Sequence, residues 1–232
     1  KLEVVGRLGV GLDNIDMEAC GRRAIKVFPA TGANDLAVAE YVITTAAMLL
    51  RGAYTAAARM LAGEWPRNDL MGRELAGKTM GLLGLGAIAR LVKEKALALG
   101  MTVAAHDPFV SNGDGAWDRV RQRSLDALFA EADVLSLHVP LTDSTRNLVD
   151  ARAIAAMQPT AILINAARGG VVDEPALAEA LRSGRLGGAA LDVFATEPLT
   201  REAARIFAGA PNLMLTPHIA GVTQESNVRV SS

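Results

Sequence analysis

Three short stretches of this chain each place a charged or titratable side chain just after an apolar run that reads as a buried strand. They are Ile164-Asn165-Ala166-Ala167-Arg168-Gly169-Gly170, Leu191-Asp192-Val193-Phe194-Ala195-Thr196-Glu197-Pro198 and Leu215-Thr216-Pro217-His218-Ile219-Ala220-Gly221. Together they supply an arginine, a carboxylate and a histidine. A permanently charged planar guanidinium suits a carboxylate, and an imidazole titrates near neutrality, so the set can bind a carboxylate substrate and move a proton.

A second constellation lies upstream. Gly84-Leu85-Gly86-Ala87-Ile88-Ala89 follows the apolar run Thr79 to Leu83 and opens a helical pattern. In such a G-x-G-x-x-A loop the first glycine permits a tight turn and the second lets backbone approach a pyrophosphate. A small third residue lets helix and strand pack closely, and the amides at the helix start face the anion. Glycines between a strand and a helix also serve packing alone, so the loop needs support. It comes from His106-Asp107-Pro108 at the end of the next strand. An acid about 20 residues on can accept hydrogen bonds from the adenosine ribose hydroxyls. A helix cap or turn before Pro108 is the competing use of Asp107. A carboxylate there repels a 2′-phosphate and no arginine follows closely, which favours NAD over NADP.

The elements that position these residues alternate regularly. Strands are expected over Thr79 to Leu83, Thr102 to His106, Val134 to Leu137, Ala161 to Asn165, Gly188 to Leu191 and Leu213 to Leu215. Helices are expected to start near Ala87, Ser124, Ala151 and Glu174, with Pro175 suited to a first turn. Runs that are apolar on both faces and alternate with helices imply an α/β fold with a parallel, doubly wound sheet. Before them come short strands at Leu2 to Gly6 and Ile25 to Phe28, the turn-rich Gly9-Val10-Gly11-Leu12-Asp13-Asn14, and a short helix near Met17 to Arg22. A long helix is predicted from Asp35 to about Leu50, continuing from Tyr54 to Ala62 until Gly63 and Pro66 stop it. The chain begins at Lys1 inside an apolar run without an initiator methionine, as a piece of a longer protein would.

Composition excludes several classes. The 232 residues are 50% hydrophobic and 21% charged, enough for a sizeable core. The formal net charge of -1 gives no basic field to attract nucleic acid or an anionic membrane. The most apolar stretch, Ala37 to Leu50, is interrupted by Glu40, so no membrane span or signal peptide is expected and the cytoplasm is the default location. Cys20 is the single cysteine, which excludes an intrachain disulfide, and no metal is expected.

These motifs, in this order, resemble the D-isomer-specific 2-hydroxyacid dehydrogenases, a family that includes phosphoglycerate dehydrogenases, glyoxylate and hydroxypyruvate reductases, formate dehydrogenases and C-terminal-binding-protein corepressors. The resemblance runs essentially end to end, from Val5-Gly6-Arg7-Leu8-Gly9-Val10-Gly11-Leu12-Asp13-Asn14-Ile15-Asp16 through Val38-Ala39-Glu40 and the glycine loop to the three stretches above. It implies a Rossmann cofactor domain over residues 34–221, part of a smaller flavodoxin-like α/β substrate domain over residues 1–33, and the start of the return crossing over 222–232.

By the same resemblance Arg168 binds the substrate carboxylate and the C2 oxygen. His218 is the acid or base at that oxygen, and Glu197 orients the imidazole and favours its charged form. Gly84, Gly86, Ala87, Ile88 and Asp107 would hold NAD together with His138, Val139, Pro140, Ala220 and Gly221. Asn165, Ala166 and Ala167 would pass beside the nicotinamide, and Asp192 would bind its carboxamide. Thr145 is a further cofactor candidate, with a plain turn as the competing reading. Val10 and Gly11 would offer backbone amides to the substrate carboxylate, and Arg7 would reach an anionic tail such as phosphate, sulfonate or carboxylate, with a surface ion pair as the alternative. Asp35 stands where relatives often carry threonine or serine near the cofactor phosphates, which puts a phosphate contact there in doubt. His106 and His138 are read as structural or pocket-wall residues.

The implied activity is interconversion of a D-2-hydroxy acid and its 2-keto acid, on a 3-phosphoglycerate-like, glyoxylate or hydroxypyruvate, or sulfolactate-type substrate. Formate oxidation needs no proton transfer, and its enzymes pair the histidine with glutamine, so Glu197 argues against it. An NAD-sensing corepressor-like protein is the alternative of another class. The long helix from Asp35 suggests a homodimer.

Overall fold

The computed structural model describes residues 1–12 and 14–231; Asp13, inside the turn-rich loop read from the sequence, and Ser232, the last residue of the return segment, lie outside the described residues. Seven strands form one parallel sheet: β3 (Thr79–Leu83), β4 (Thr102–His106), β5 (Arg121–Gln122), β6 (Val134–Leu137), β7 (Ile162–Asn165), β8 (Gly188–Leu191) and β9 (Leu213–Leu215), in the order β5-β4-β3-β6-β7-β8-β9. Every residue of β6, β7 and β8 is buried, so both sheet faces need a cover, which only crossover helices can supply between parallel strands.

The period of two in each strand decides which face a residue serves. Leu163 packs with Leu128, Ile154 and Leu177 under α5 (Leu125–Glu131), α6 (Ala151–Ala156) and α7 (Glu174–Arg182). Its neighbours Ile162 and Ile164 pack on the other face with Val42, Ala46 and Val92 from α2 (Asp35–Arg51) and α4 (Ala87–Ala98). The helices begin where their caps dictate: the side chains of Ser124, Asp150 and Asp173 accept the amides of Ala127, Ala153 and Ala176, and Pro175 sits in the first turn of α7.

Several boundaries differ from those read in the sequence. The parallel pair β1 (Val4–Arg7) and β2 (Lys26–Pro29) is set by the register Val4↔Lys26 to Arg7↔Pro29, not by the apolar runs Leu2 to Gly6 and Ile25 to Phe28. Between them α1 covers Met17–Arg22. The helix expected over Tyr54 to Ala62 is a 3-10 turn at Ala53–Thr55 followed by α3 (Ala56–Leu61), because α2 ends in a left-handed Gly52 whose amide closes on Met48. β5, two exposed residues with no periodicity, was not foreseen. Nor was α8 (Gln224–Ser231), which opens with reciprocal bonds: Thr223 N donates to Ser226 Oγ and Ser226 N donates to Thr223 Oγ1.

Sheet order positions the site. β3 has β4 on one side and β6 on the other, so the crossovers reverse there and a crevice opens beyond the strand ends. β7, β8 and β9 are neighbours in which Asn165 pairs with Leu191 and Leu191 with Leu215. The three chemistry-bearing stretches therefore leave the sheet side by side at one level. Among the described residues no helix is long and apolar enough to cross a membrane.

Candidate active site

At the reversal point Gly84 adopts φ 92, and a Cβ on it would lie 2.6 Å from the carbonyl oxygen of His138. Only glycine lets the ends of β3 and β6 approach so closely. Gly86 then opens α4, and a Cβ there would meet nothing within 4 Å, so the start of the helix faces open space. Ala89, the small third residue of the loop, is fully buried between helix and sheet. Asp107 makes the turn and more: Oδ1 accepts the amide of Phe109, and Oδ2 accepts the amide of Leu85 at 2.8 Å. It thereby fixes the glycine loop, and since a carboxylate offers about four acceptor sites it keeps capacity for a ribose diol. A close-approach glycine, an open helix start and a carboxylate at the loop fit a dinucleotide.

His138 lies behind this loop. Its Nε2 pairs with the buried Ser136 hydroxyl at 3.0 Å. The residue retains some surface, yet its imidazole is enclosed enough that desolvation lowers its pKa to about 4. It is a neutral wall group. His106 is bound through Nδ1 to the carbonyl of Arg123. Thr145 commits its hydroxyl to a turn, donating to Pro140 O at 2.6 Å and accepting the Thr142 amide at 2.8 Å, so the turn reading accounts for it.

The arginine loop is built by Asn165, which is 1% exposed. Its Nδ2 donates to the carbonyl of Arg168 and its Oδ1 accepts the amide of Ala167, folding Ala166 to Arg168 into a compact turn that presents the guanidinium. One guanidinium nitrogen donates to Ala167 O at 2.7 Å. A Cβ on Gly169 would overlap the carbonyl of Phe194, so the arginine loop touches the loop that carries Glu197.

Glu197 serves two partners: Oε1 accepts the amide of Phe194 at 2.9 Å, and Oε2 lies 2.8 Å from His218 Nδ1. A ring nitrogen that donates to a carboxylate leaves Nε2 for a substrate atom. The imidazole is 55% exposed beside a pocket of about 600 Å³ bounded by Phe194, Leu199 and Leu215. Two supports that the sequence does not reveal hold this pair, one from Glu174 and one from Asp192, which the family resemblance marks only as a cofactor contact. Glu174, at the start of α7, accepts the amide of Ala195 at 2.6 Å and so anchors the Glu197 loop from the opposite side. Burial raises its pKa, the Ala195 hydrogen bond opposes this, and the neighbouring Asp173 and Glu197 charges add to the rise. Asp192, 1% exposed, turns both carboxylate oxygens toward backbone: Oδ1 accepts the amide of Ile219 and Oδ2 that of Ala220, while its carbonyl accepts the amide of His218. No sequence pattern signals either partnership, because each spans more than twenty positions.

The remaining candidates lie nearby in the chain or the sheet. Val10 and Gly11 are half-buried, and the loop they form is braced by Arg7, whose Nε donates to Gly11 O and Nη1 to Leu8 O. Val139 is half-buried and Pro140 exposed at the end of β6, with Ala87 and Ile88 in the first turn of α4. Ala220 is buried, and Gly221 packs so tightly on Asn34 that a Cβ would come within 2.5 Å of its side-chain nitrogen. Asp35, next to it, has its pKa raised by burial. Among the described residues no cluster of three or more histidine, cysteine or acidic side chains is placed to hold a metal ion.

A doubly wound sheet with a dinucleotide loop at its reversal point and a carboxylate–imidazole pair beyond the ends of β8 and β9 defines a nicotinamide-dependent oxidoreductase. The chain belongs to the D-isomer-specific 2-hydroxyacid dehydrogenase family: residues 43–220 match the model of that family's NAD-binding domain. It is 57% identical over 231 residues to the (S)-sulfolactate dehydrogenase of Chromohalobacter salexigens, covering 99% of this chain and 74% of that protein. It is 41% identical to the D-3-phosphoglycerate dehydrogenase of Synechocystis, covering 100% of this chain but 41% of that longer protein. Among solved structures, a D-lactate dehydrogenase from Aquifex aeolicus complexed with NAD and lactic acid superposes with a TM-score of 0.90 at 32% identity, covering 99% of this chain and 73% of that one.

Proposed function

We propose that the protein interconverts 3-sulfolactate and 3-sulfopyruvate with NAD, using Arg168 to hold the substrate carboxylate and His218 to move the proton at the C2 oxygen. Bound NAD(H) supplies or takes the hydride at C2. The observation that carries the reading is the 2.8 Å pairing of His218 with Glu197. A carboxylate that accepts from Nδ1 orients the ring and leaves Nε2 to face the substrate, so Nε2 can protonate the oxygen of a keto acid and, in reverse, take the proton back. Oxidation of formate gives such a group nothing to do. Gly84, Gly86 and Asp107 would cradle the dinucleotide, and Asp192, with both oxygens partly used, keeps room for one more donor such as a carboxamide.

Identity to a sulfolactate dehydrogenase supports a sulfonate tail. The (S) descriptor agrees with a D-family enzyme: sulfur on C3 makes the CH2SO3⁻ arm outrank the carboxylate, which inverts the label without inverting the spatial arrangement. Arg7 spends two of its three nitrogens on its own loop, so its contribution to the tail would come through Nη2 and through the shape it gives the Val10-Gly11 loop.

Residues 1–33 read as part of the substrate domain. In support, β1 and β2 carry no fully buried position, and Leu2, Val4, Leu8 and Phe28 are exposed. A homodimer is supported by the large apolar side chains of Leu61, Trp65 and Met71, each exposed in the segment around and after α3, which a second copy would cover. A cytoplasmic site of action accords with a chain that needs no disulfide. Oxidation of NADH by the purified protein with sulfopyruvate, 3-phosphohydroxypyruvate, hydroxypyruvate and glyoxylate tests the proposal. Sulfopyruvate is expected to give the highest kcat/KM. A higher value for another acid would move the substrate, and no oxidation with any acid despite NADH binding would point to a sensor.

A further inference from the structure

Beside the histidine turn a chain of hydroxyls runs back into α2. The Tyr41 hydroxyl lies 2.6 Å from Thr216 Oγ1, which in turn lies 2.6 Å from Asp192 Oδ1. The direction of this relay is fixed by proton count. A carboxylate only accepts and a threonine hydroxyl has one proton, so Thr216 donates to Asp192 and Tyr41 must donate to Thr216. Burial and then the negative charge of Asp192 raise the Tyr41 phenol above its usual value, outweighing the Thr216 hydrogen bond, so it keeps its proton.

What the relay terminates on matters. His218 has φ 55, a left-handed conformation that non-glycine residues adopt only when surroundings over-determine it. The Thr216 carbonyl accepts the His218 amide at 3.0 Å and Glu197 holds the ring, but most of the turn's backbone bonds go to one residue. Asp192 accepts the amides of His218, Ile219 and Ala220, two of them on its carboxylate, and Thr216 is the only side chain among the described residues that bonds the same carboxylate. Rotating that carboxylate would release the turn on which the imidazole stands.

We propose that Tyr41 is a positioning residue for His218, acting through Thr216 and Asp192 to lock the left-handed turn and aim Nε2 at the reacting oxygen. The proposal rests on the acid-base role of His218. It links α2, more than 170 positions away in sequence, to the proton-transfer step, and Tyr41 itself touches no reacting atom.

The test is a double-mutant cycle on Tyr41→Phe and Thr216→Val, with Thr216→Ser as the conservative variant. Tyr41→Phe is expected to lower kcat about ten-fold, as loss of one hydrogen bond in a charged network does, while KM for the keto acid and the dissociation constant for NADH by fluorescence change less than about two-fold. Thr216→Ser should recover most of what Thr216→Val loses. The double variant should be no slower than Thr216→Val alone, since both changes cut one relay. Wild-type kcat in Tyr41→Phe, or losses that multiply in the double variant, would overturn the proposal. A general unfolding effect would show instead as lost NADH binding in proportion to lost turnover, which also overturns it. If His218→Gln turned over normally, the acid-base reading itself would fall, and that outcome is separate from every result of the cycle.

Discussion

Replacing Gly169 by alanine tests whether the arginine and histidine loops act as one assembled site. Gly169 follows Arg168 directly, and an added methyl would overlap the carbonyl of Phe194 and lie 2.8 Å from the amide of Ala195. Carbon and oxygen ordinarily approach no closer than about 3.3 Å, so the two loops must part by more than about 1 Å. Neither obstacle is the flexible end of a side chain; both are backbone. The Phe194 amide also holds Glu197, and Glu197 holds His218, so the shift reaches the imidazole as well as the guanidinium. A misplacement of about 1 Å can reduce catalysis about 10²-fold, and that loss is expected in kcat/KM with the preferred keto acid. Overpacking is expected to lower stability by about 1–3 kcal/mol, readable by urea unfolding. Cofactor affinity, which the proposed function assigns mainly to Gly84, Gly86 and Asp107, should change far less than turnover when followed by NADH fluorescence. Turnover within two-fold of wild type, or NADH binding lost as completely as activity, would refute the claim that this glycine exists to join the two loops.

Other consequences follow from the same geometry. Asp107→Asn keeps an acceptor for Leu85 while removing the charge, so the ratio of kcat/KM for NAD over NADP should fall by about ten-fold or more, in line with loss of one charged discriminator; an unchanged ratio would remove Asp107 from ribose recognition. Glu174→Ala frees the Ala195 amide and should lower kcat roughly ten-fold, with partial recovery in Glu174→Gln, which still offers an oxygen; equal rates in all three proteins would show that the loop needs no second anchor. For His138 the pKa falls from 6.5 to about 4 on folding, so the fold favours the neutral ring. That stabilisation is fully present above pH 6.5 and is lost as pH falls toward 4, by about 3 kcal/mol at most. Urea unfolding at pH 7 and pH 4.5 should show this loss in the wild type and less of it in His138→Gln, and parallel losses in both would contradict the assignment.

The parallel sheet was legible because its strands are short apolar runs between helical patterns: β3, β4, β6, β8 and β9 begin and end where the sequence places them. β5 was hidden because Arg121 and Gln122 carry no apolar signal, and their pairing with Ala104 and Ala105 is decided by backbone alone. The glycine loop, Asp107 and the three stretches were visible as residue types in a particular order. Their support was not. Asp192 looks like any acid after an apolar strand until the fold brings the amides of Ile219 and Ala220 onto it, and Gly169 looks like a turn glycine until the Phe194 carbonyl arrives from another loop. Arg7 is a further case. The family resemblance gave it a distant anion as partner, and the fold adds a local task no pattern announced, bonding carbonyls one and four residues away. Contacts between residues far apart in sequence leave no periodicity, so the chemistry could be read from the chain while the scaffold that aims it could not.

The central claim is that His218, paired with Glu197, moves the proton at the substrate oxygen, and His218→Gln tests it most directly. NADH oxidation with sulfopyruvate and NADH binding by fluorescence would be measured on the same preparation. Turnover is expected to fall by about 10²- to 10⁴-fold, the usual contribution of a positioned acid, with NADH affinity unchanged. Turnover close to wild type with NADH bound would contradict the account.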